Sequence, residues 1–209
     1  MVLDSCVDGT RSVVEARGVA CVEVAARNVG VARAAGASAL VARGARWLAF
    51  TDADSVVAPD WLARQLDTPH DAVCGVVAVD DWDDFSVAVR AACEAGYVDA
   101  DCHRHIHGAS LGVSSAASLR VGGFPPLRRS EDVELVRRLH GDGATIRWTN
   151  AVRVTTSARR IARAPGGFAA HLQHVERQVL TGLPPADTLQ ASPWNVTRSV
   201  AGAPKALPR

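Results

Sequence analysis

A chain of 209 residues is long enough to bury a sizeable core within one domain. It carries 23 Lys and Arg against 22 Asp and Glu, a net charge of +1, so there is no electrostatic case for nucleic acid or an anionic membrane as partner. No apolar run approaches the ~18 residues that suggest a membrane span.

Val2-Leu3 is a short apolar run ending at Asp4, followed by a polar turn over Ser5–Gly9. Thr10–Arg17 predicts a short helix stopped by Gly18, and Val19–Val24 a strand. Val29–Arg43 is rich in Ala and reads as a helix, with Gly44 at the usual stop position. Trp47–Thr51 predicts a strand. Pro59 fits the first turn of a helix reaching about Leu66. Ala72–Val79, small and β-branched, predicts a strand, and Asp83 to about Ala100 a helix. Ser110–Val113 is short and apolar, followed by a helical turn and the breaker Gly122-Gly123. Glu131–Leu139 predicts a helix ended near Gly141, and Ala144–Trp148 and Val152–Thr155 predict two short strands. Half of the ten prolines fall between Pro184 and Pro208, which marks 182–209 as an extended or disordered tail after a single domain over 1–181.

Strands alternating with helices predict an α/β fold with a mostly parallel, mixed sheet and helices on both faces. Ligands of such sheets gather at the carboxyl ends of the strands. Asp4 and Asp52 stand at such ends. The five cysteines, Cys6, Cys21, Cys74, Cys93 and Cys102, are scattered and form no CxxC pair. They suggest neither a zinc ribbon nor a disulfide framework. With an N-terminus, MVLDSCVDGT, that lacks the features of a secretory signal, they point to a reducing cytoplasm.

The most informative stretch is WLAFTDADSVVAPDWL, Trp47–Leu62. Two carboxylates on a tight turn after a strand suit a hard divalent cation, Mg²⁺ or Mn²⁺, that leaves coordination positions for a diphosphate. The bland alternative is a turn whose aspartates bond their own backbone. Asn28, Gly30, Arg33 and Gly36 form an N-x-G-x-x-R-x-x-G pattern just upstream. Arg33 could grip a phosphate oxygen; a solvated helix charge is the commoner fate of such a residue. Asp132 shares a helix face with Leu135, Val136 and Leu139, which places a carboxylate at the rim of the buried side. Ser130 is a candidate cap for that helix, and Glu131 and Asp132 would answer its dipole.

Five segments together resemble the family-2 glycosyltransferases with the GT-A fold: LDSCVDGT (3–10), NVGVARAAG (28–36), WLAFTDADSVVAPDWL (47–62), HGASLGVSSAASLRVGGF (107–124) and SEDVELVRRLHGDGATIRW (130–148). The resemblance spans about residues 2–160. It implies a Rossmann-like nucleotide-binding half, an acceptor half, and transfer of a sugar from a nucleotide-diphosphate donor to a hydroxyl acceptor with inversion. It implies donor-binding roles for Asp4, Asp8, Asn28, Arg33 and Asp52, with Asp4 at the nucleotide base. Asp52 and Asp54 would hold the metal. Glu131, His107 and Gly108 would meet the acceptor, with Asp132 as general base. The alternating His103, His105 and His107 could imitate a metal site, but the rim of an acceptor pocket is the better reading. Trp82 and Trp148 could stack on sugar rings, though core positions are more usual. Arg159, in the TTSAR segment, would reach the diphosphate.

The resemblance also implies a further strand and helix ahead of Val2, with that strand lying inside the sheet. Two other functions remain open. A D-x-D phosphohydrolase of the haloacid-dehalogenase type would want a nucleophilic Asp on an early strand, a downstream lysine and a further acidic pair, and the one lysine is Lys205 in the tail. A nucleotide-sugar-binding remnant without turnover is the other.

Overall fold

The computed structural model describes residues 1–67, 69–82, 84–160 and 167–182. The elements run β1 (Val2–Asp4), α1 (Thr10–Ala16), β2 (Val22–Val24), α2 (Val29–Ala42), β3 (Trp47–Phe50), β4 (Ser55–Val57), α3 (Trp61–Leu66), β5 (Ala72–Asp81), α4 (Val87–Ala95), β6 (Leu111–Ser114), α5 (Ser115–Arg120), α6 (Glu131–Gly141), β7 (Ile146–Ser157) and α7 (Phe168–Thr181). The expected tail lies outside the described residues, apart from Gly182.

Five strands form one mixed sheet in the order β3-β6-β5-β7-β4. β5 and β7 are parallel, while β6 runs antiparallel to both β3 and β5, and β4 antiparallel to β7. The antiparallel share is larger than strand–helix alternation suggests, because β4 follows β3 with no helix between them and β6, although it follows α4, returns antiparallel between β3 and β5. β1 and β2 pair in parallel as a separate two-stranded sheet. Helix α2 packs against β1, β2 and β3, and so spans both sheets.

β5 is the spine of the larger sheet, with Ala72, Val73, Cys74 and Val76 fully buried. Its period of two sends alternate residues to opposite faces. Ala72 and Cys74 join Leu48, Leu111 and Val113 in a core covered by Ala37 of α2, Ala117 of α5, and Leu135, Val136 and Leu139 of α6. Val73 joins Trp61 of α3 with Val152 and Val154 on the other face. Helices therefore cover both faces, as the sequence predicts. The predicted apolar face of α6 is the one that the core takes.

The start of α2 is fixed locally. The Asn28 side chain accepts a hydrogen bond from Val31 N at 3.2 Å, capping the helix, and donates from Nδ2 to the Pro126 carbonyl at 3.0 Å. A Cβ on Gly30 would sit 2.1 Å from the Pro125 carbonyl oxygen, so only glycine lets the helix approach the loop that precedes α6.

Some predicted elements change. The strands expected at 144–148 and 152–155 are one strand, β7, with a register shift against β5 between Cys74 and Val76. Three extra residues, Thr149 to Ala151, are absorbed there, and the Thr149 hydroxyl turns aside to Asp101 at 2.7 Å. The helix expected over 83–100 is shorter, running from its Ser86 cap to Gly96. Ser130 does not cap α6 through its side chain. It holds a left-handed φ of 57°, which leaves its hydroxyl without a cap bond. No described helix is long and apolar enough to cross a membrane.

Candidate active site

A cavity of about 970 Å³ opens between the D-x-D turn, the 105–109 segment and the start of α6. Arg33, Asp52, Asp54, His107, Gly108, Glu131 and Asp132 all line it. Asp4, Asp8 and Asn28 are not among its lining residues. Asp4 is instead the organiser of the loop ahead of α2. Its carboxylate accepts from the backbone N–H groups of Ala26 (2.9 Å), Arg27 (2.8 Å) and Asn28 (2.7 Å). Burial works to raise its pKa, but the sum of these bonds holds the carboxyl below its usual range. Asp8 accepts from Thr10 N at 3.0 Å, ahead of α1.

β3 delivers Asp52, and the chain then turns at once into β4. Ser55 N bonds the Asp52 carbonyl at 3.1 Å, and Ser55 pairs with Thr156 of β7. β4 was not expected from sequence; three residues, Ser-Val-Val, before Pro59 are too few to give a period. Its pairing brings the turn alongside the end of β7, where Arg159 forms an ion pair with Asp54. Asp52 is held from the other side by Arg33, at 2.6 Å. Each carboxylate of the pair thus faces its own guanidinium.

Asp132 is placed differently. It is only 4% exposed, and its oxygens accept from Gly108 N at 2.6 Å and Val133 N at 2.8 Å. Burial pushes its pKa up, opposed chiefly by the charge of Arg33 and then by the two N–H bonds. Glu131, equally buried, is also raised by burial, and lies 3.5 Å from Arg33. A carboxylate with a raised pKa at the wall of a cavity is suited to accept a proton.

The histidine run does not form a strand. Tyr97 stacks on His105 with centroids 4.2 Å apart, and its hydroxyl lies 3.0 Å from His107 Nε2. Burial, with the neighbouring imidazoles, pushes His107 down to about 3, so its ring is neutral at ordinary pH. His105 and His107 line the cavity, whereas His103 turns toward Trp148. Trp82 lines the cavity, and Trp148 packs against the main core.

Sequence reasoning missed Tyr97, and missed α7, which brings Phe168, Ala169 and His171 to the cavity. The signal for α7 was present: Phe168, Leu172, Val175 and Val179 recur at helical spacing and pack with α4 residues Val89 and Cys93. Arg128 and Arg129, in the loop before α6, also line the cavity.

Among the described residues, no group of three or more His, Cys, Asp or Glu is arranged to hold a metal ion. Asp52 and Asp54 offer two hard oxygen ligands on an open turn. That set fits a divalent cation taking its remaining ligands from diphosphate and water, as Mg²⁺ usually does, once the Arg159 guanidinium gives way.

Residues 1–102 match the family model of glycosyl transferase family 2. That match covers just under half of the chain and includes the D-x-D turn. The structure resembles the mannosyltransferase PcManGT from Pyrobaculum calidifontis, solved in complex with GDP-Man and Mn²⁺, with 21% identity and a TM-score of 0.55 over 85% of this chain and 59% of that one. It also resembles a mycobacterial protein, with 16% identity and a TM-score of 0.51 over 87% and 61%. The fold is the GT-A fold, and the chain spans about three fifths of the length of these structures. No curated protein gives a match.

Proposed function

We propose that this chain transfers a sugar from a nucleotide-diphosphate donor to a hydroxyl acceptor with inversion, using Asp132 as general base. One observation carries the reading. A pair of accessible carboxylates on a turn and a buried carboxylate on a helix start line the same cavity.

In this reading the donor diphosphate lies against the turn, where Asp52 and Asp54 would hold Mg²⁺ or Mn²⁺. Such an ion, when bound, offsets the negative charge on the departing diphosphate. Arg159 leaves Asp54 as the donor arrives and turns to a phosphate oxygen. The acceptor hydroxyl sits beside Asp132, with Glu131, His107 and Gly108 around it. Its proton passes to Asp132 Oδ as the oxygen attacks the anomeric carbon, and the bond to the diphosphate breaks on the opposite side. A single displacement of this kind inverts the centre and needs no covalent nucleophile. The neutral His107 ring adds no charge to the acceptor side.

The test is a panel of nucleotide sugars, each with and without Mn²⁺, assayed for binding and for released nucleoside diphosphate. Metal-dependent binding of one donor with release of its diphosphate is the expected result. Binding without release, even with a broad set of acceptor alcohols, identifies a binding-only domain. Absence of binding to every donor rejects the reading.

A further inference from the structure

Arg33 occupies an unusual position for a donor-side residue, because it touches both halves of the site. Its Nη2 is 2.6 Å from Asp52 and its Nε 3.5 Å from Glu131, while its side chain is only 12% exposed. The guanidinium carbon lies 5.8 Å from the Phe124 ring centroid, so one side of the group rests on the core. Gly108 lies on another side. A Cβ there would fall 1.6 Å from Nη1 and 2.4 Å from Cζ. The guanidinium therefore fills the space where a side chain of residue 108 would stand. Nη1 is buried without a hydrogen-bond partner among the described residues. It contributes charge there rather than a bond. Gly108 is also the residue whose N–H is donated to Asp132 at 2.6 Å.

We propose that Arg33 is a positioning residue that couples the two carboxylate sites: it clamps Asp52 while its guanidinium, seated on Gly108, sets the charge and placement of Asp132. Gly108 serves this coupling by lacking a side chain, which is a different task from meeting the acceptor. The link to catalysis rests on the proposed role of Asp132; the coupling itself does not. Among the described residues, the charged and titratable groups that act on Asp132 are Arg33 from α2, Glu131 beside it on α6 and the Cys74 thiol from β5, while the neutral His107 and the cations Arg128 and Arg129 share its cavity. Cys74 is held protonated by burial, and Arg33 is the cation whose charge acts on Asp132 among the described residues. The direction of its action on Asp132 agrees with the geometry, since it lowers a pKa that burial raises.

The experiment is a pH titration of the Asp132 side-chain carboxyl carbon by NMR, on the full chain without ligand. Four variants are compared with the parent: Arg33→Gln, Arg33→Lys, Gly108→Ala and, as a remote charge control, Arg120→Gln. Arg33→Gln should move the Asp132 inflection to higher pH, and Arg33→Lys should move it less. Gly108→Ala should also move it upward, because the methyl group displaces the guanidinium while every charge is retained. Arg120→Gln should leave it in place. If Gly108→Ala melts early, the contrast between Gln and Lys at position 33 still decides. An unmoved inflection in Arg33→Gln, or equal shifts in Arg33→Gln and Arg120→Gln, overturns the coupling. On a donor that the parent turns over, Arg33→Lys should lower kcat by about 10²-fold, in the range of a misplaced reacting group. Unchanged kcat with only a raised KM would reduce Arg33 to donor binding. A failure of the base reading looks different: Asp132→Asn would keep its turnover while the titration shifts remained.

Discussion

The two carboxylate sites of the cavity are built in opposite ways. On the D-x-D turn, the Asp52 and Asp54 side chains are 47% and 33% exposed, and each is neutralised by an arginine from a separate element. At the start of α6, Asp132 is buried, bonded to two neutral N–H groups, and set on a helix whose other side is core. Ion pairs in partial contact with water are weak, about 0–1 kcal/mol, and exchange readily for another cation. A carboxylate removed from water is held in place and made more basic. The same side chain, aspartate, thus stands exposed and ion-paired at one place, and buried with a raised pKa at the other.

The largest effect that could break this comparison is expected at the turn. Asp54→Ala should abolish the Mn²⁺-dependent part of nucleoside diphosphate binding, read by calorimetry with and without the metal. Because the turn is exposed, its thermal stability should stay within about 0.5 kcal/mol of the parent. Equal metal-dependent affinity would remove Asp54 from the site. Leu135→Ala should do the reverse. Leu135 is fully buried under Asp132's helix, and its truncation should cost about 2–5 kcal/mol in a denaturant melt. A loss below about 1 kcal/mol would mean that α6 is not anchored as described.

The pH dependence sharpens the contrast. A base must be ionised to act, and burial places the Asp132 pKa above its usual value. Turnover should therefore fall on acidification through a limb above the ordinary aspartate value of about 3.9, seen in kcat/KM against pH. The same raised value means that the native state holds this proton more tightly than the unfolded chain. Asp132 accordingly makes stability decline as pH rises from the unfolded pKa to the folded one. A limb that stays in place in Asp132→Asn would belong to another group. The smallest effect belongs to Arg159. Arg159→Ala removes the competitor for Asp54, so Mn²⁺ should bind the ligand-free protein up to about fivefold tighter, the equivalent of one weak exposed pair. Weaker Mn²⁺ binding would show that Arg159 supports the site in its resting state.

Much of the frame around α2, β3 and α6 was legible because its signals are local. Asn28 before a run of small residues marks the start of α2, Gly44 its end, and four apolar residues before Asp52 mark β3. The apolar spacing from Asp132 to Leu139 gives both α6 and the side on which the acid stands. What stayed hidden depends on contacts distant in sequence. β4 is three residues whose strand character comes from pairing with β7, and only that pairing places Arg159 against Asp54. Arg33 reads as a donor ligand or a solvated charge until Gly108, 75 residues away in the chain, is seen to make room for it. Asp4 carries the right residue type at a strand end, but the three N–H groups that it gathers come from a loop whose shape no pattern announces. The Tyr97–His105–His107 stack likewise follows from the loop path, not from strand periodicity.

The most direct test of the division between the two sites is Asp132→Asn, measured for both binding and turnover on one donor. Asparagine keeps the size and the helix start but cannot accept the proton. Nucleoside diphosphate affinity with Mn²⁺ should match the parent within a few-fold, while release of diphosphate to an acceptor falls by about 10²–10⁴-fold. Turnover within a few-fold of the parent, with binding intact, would contradict the account and leave Asp132 as an acid that only anchors its helix.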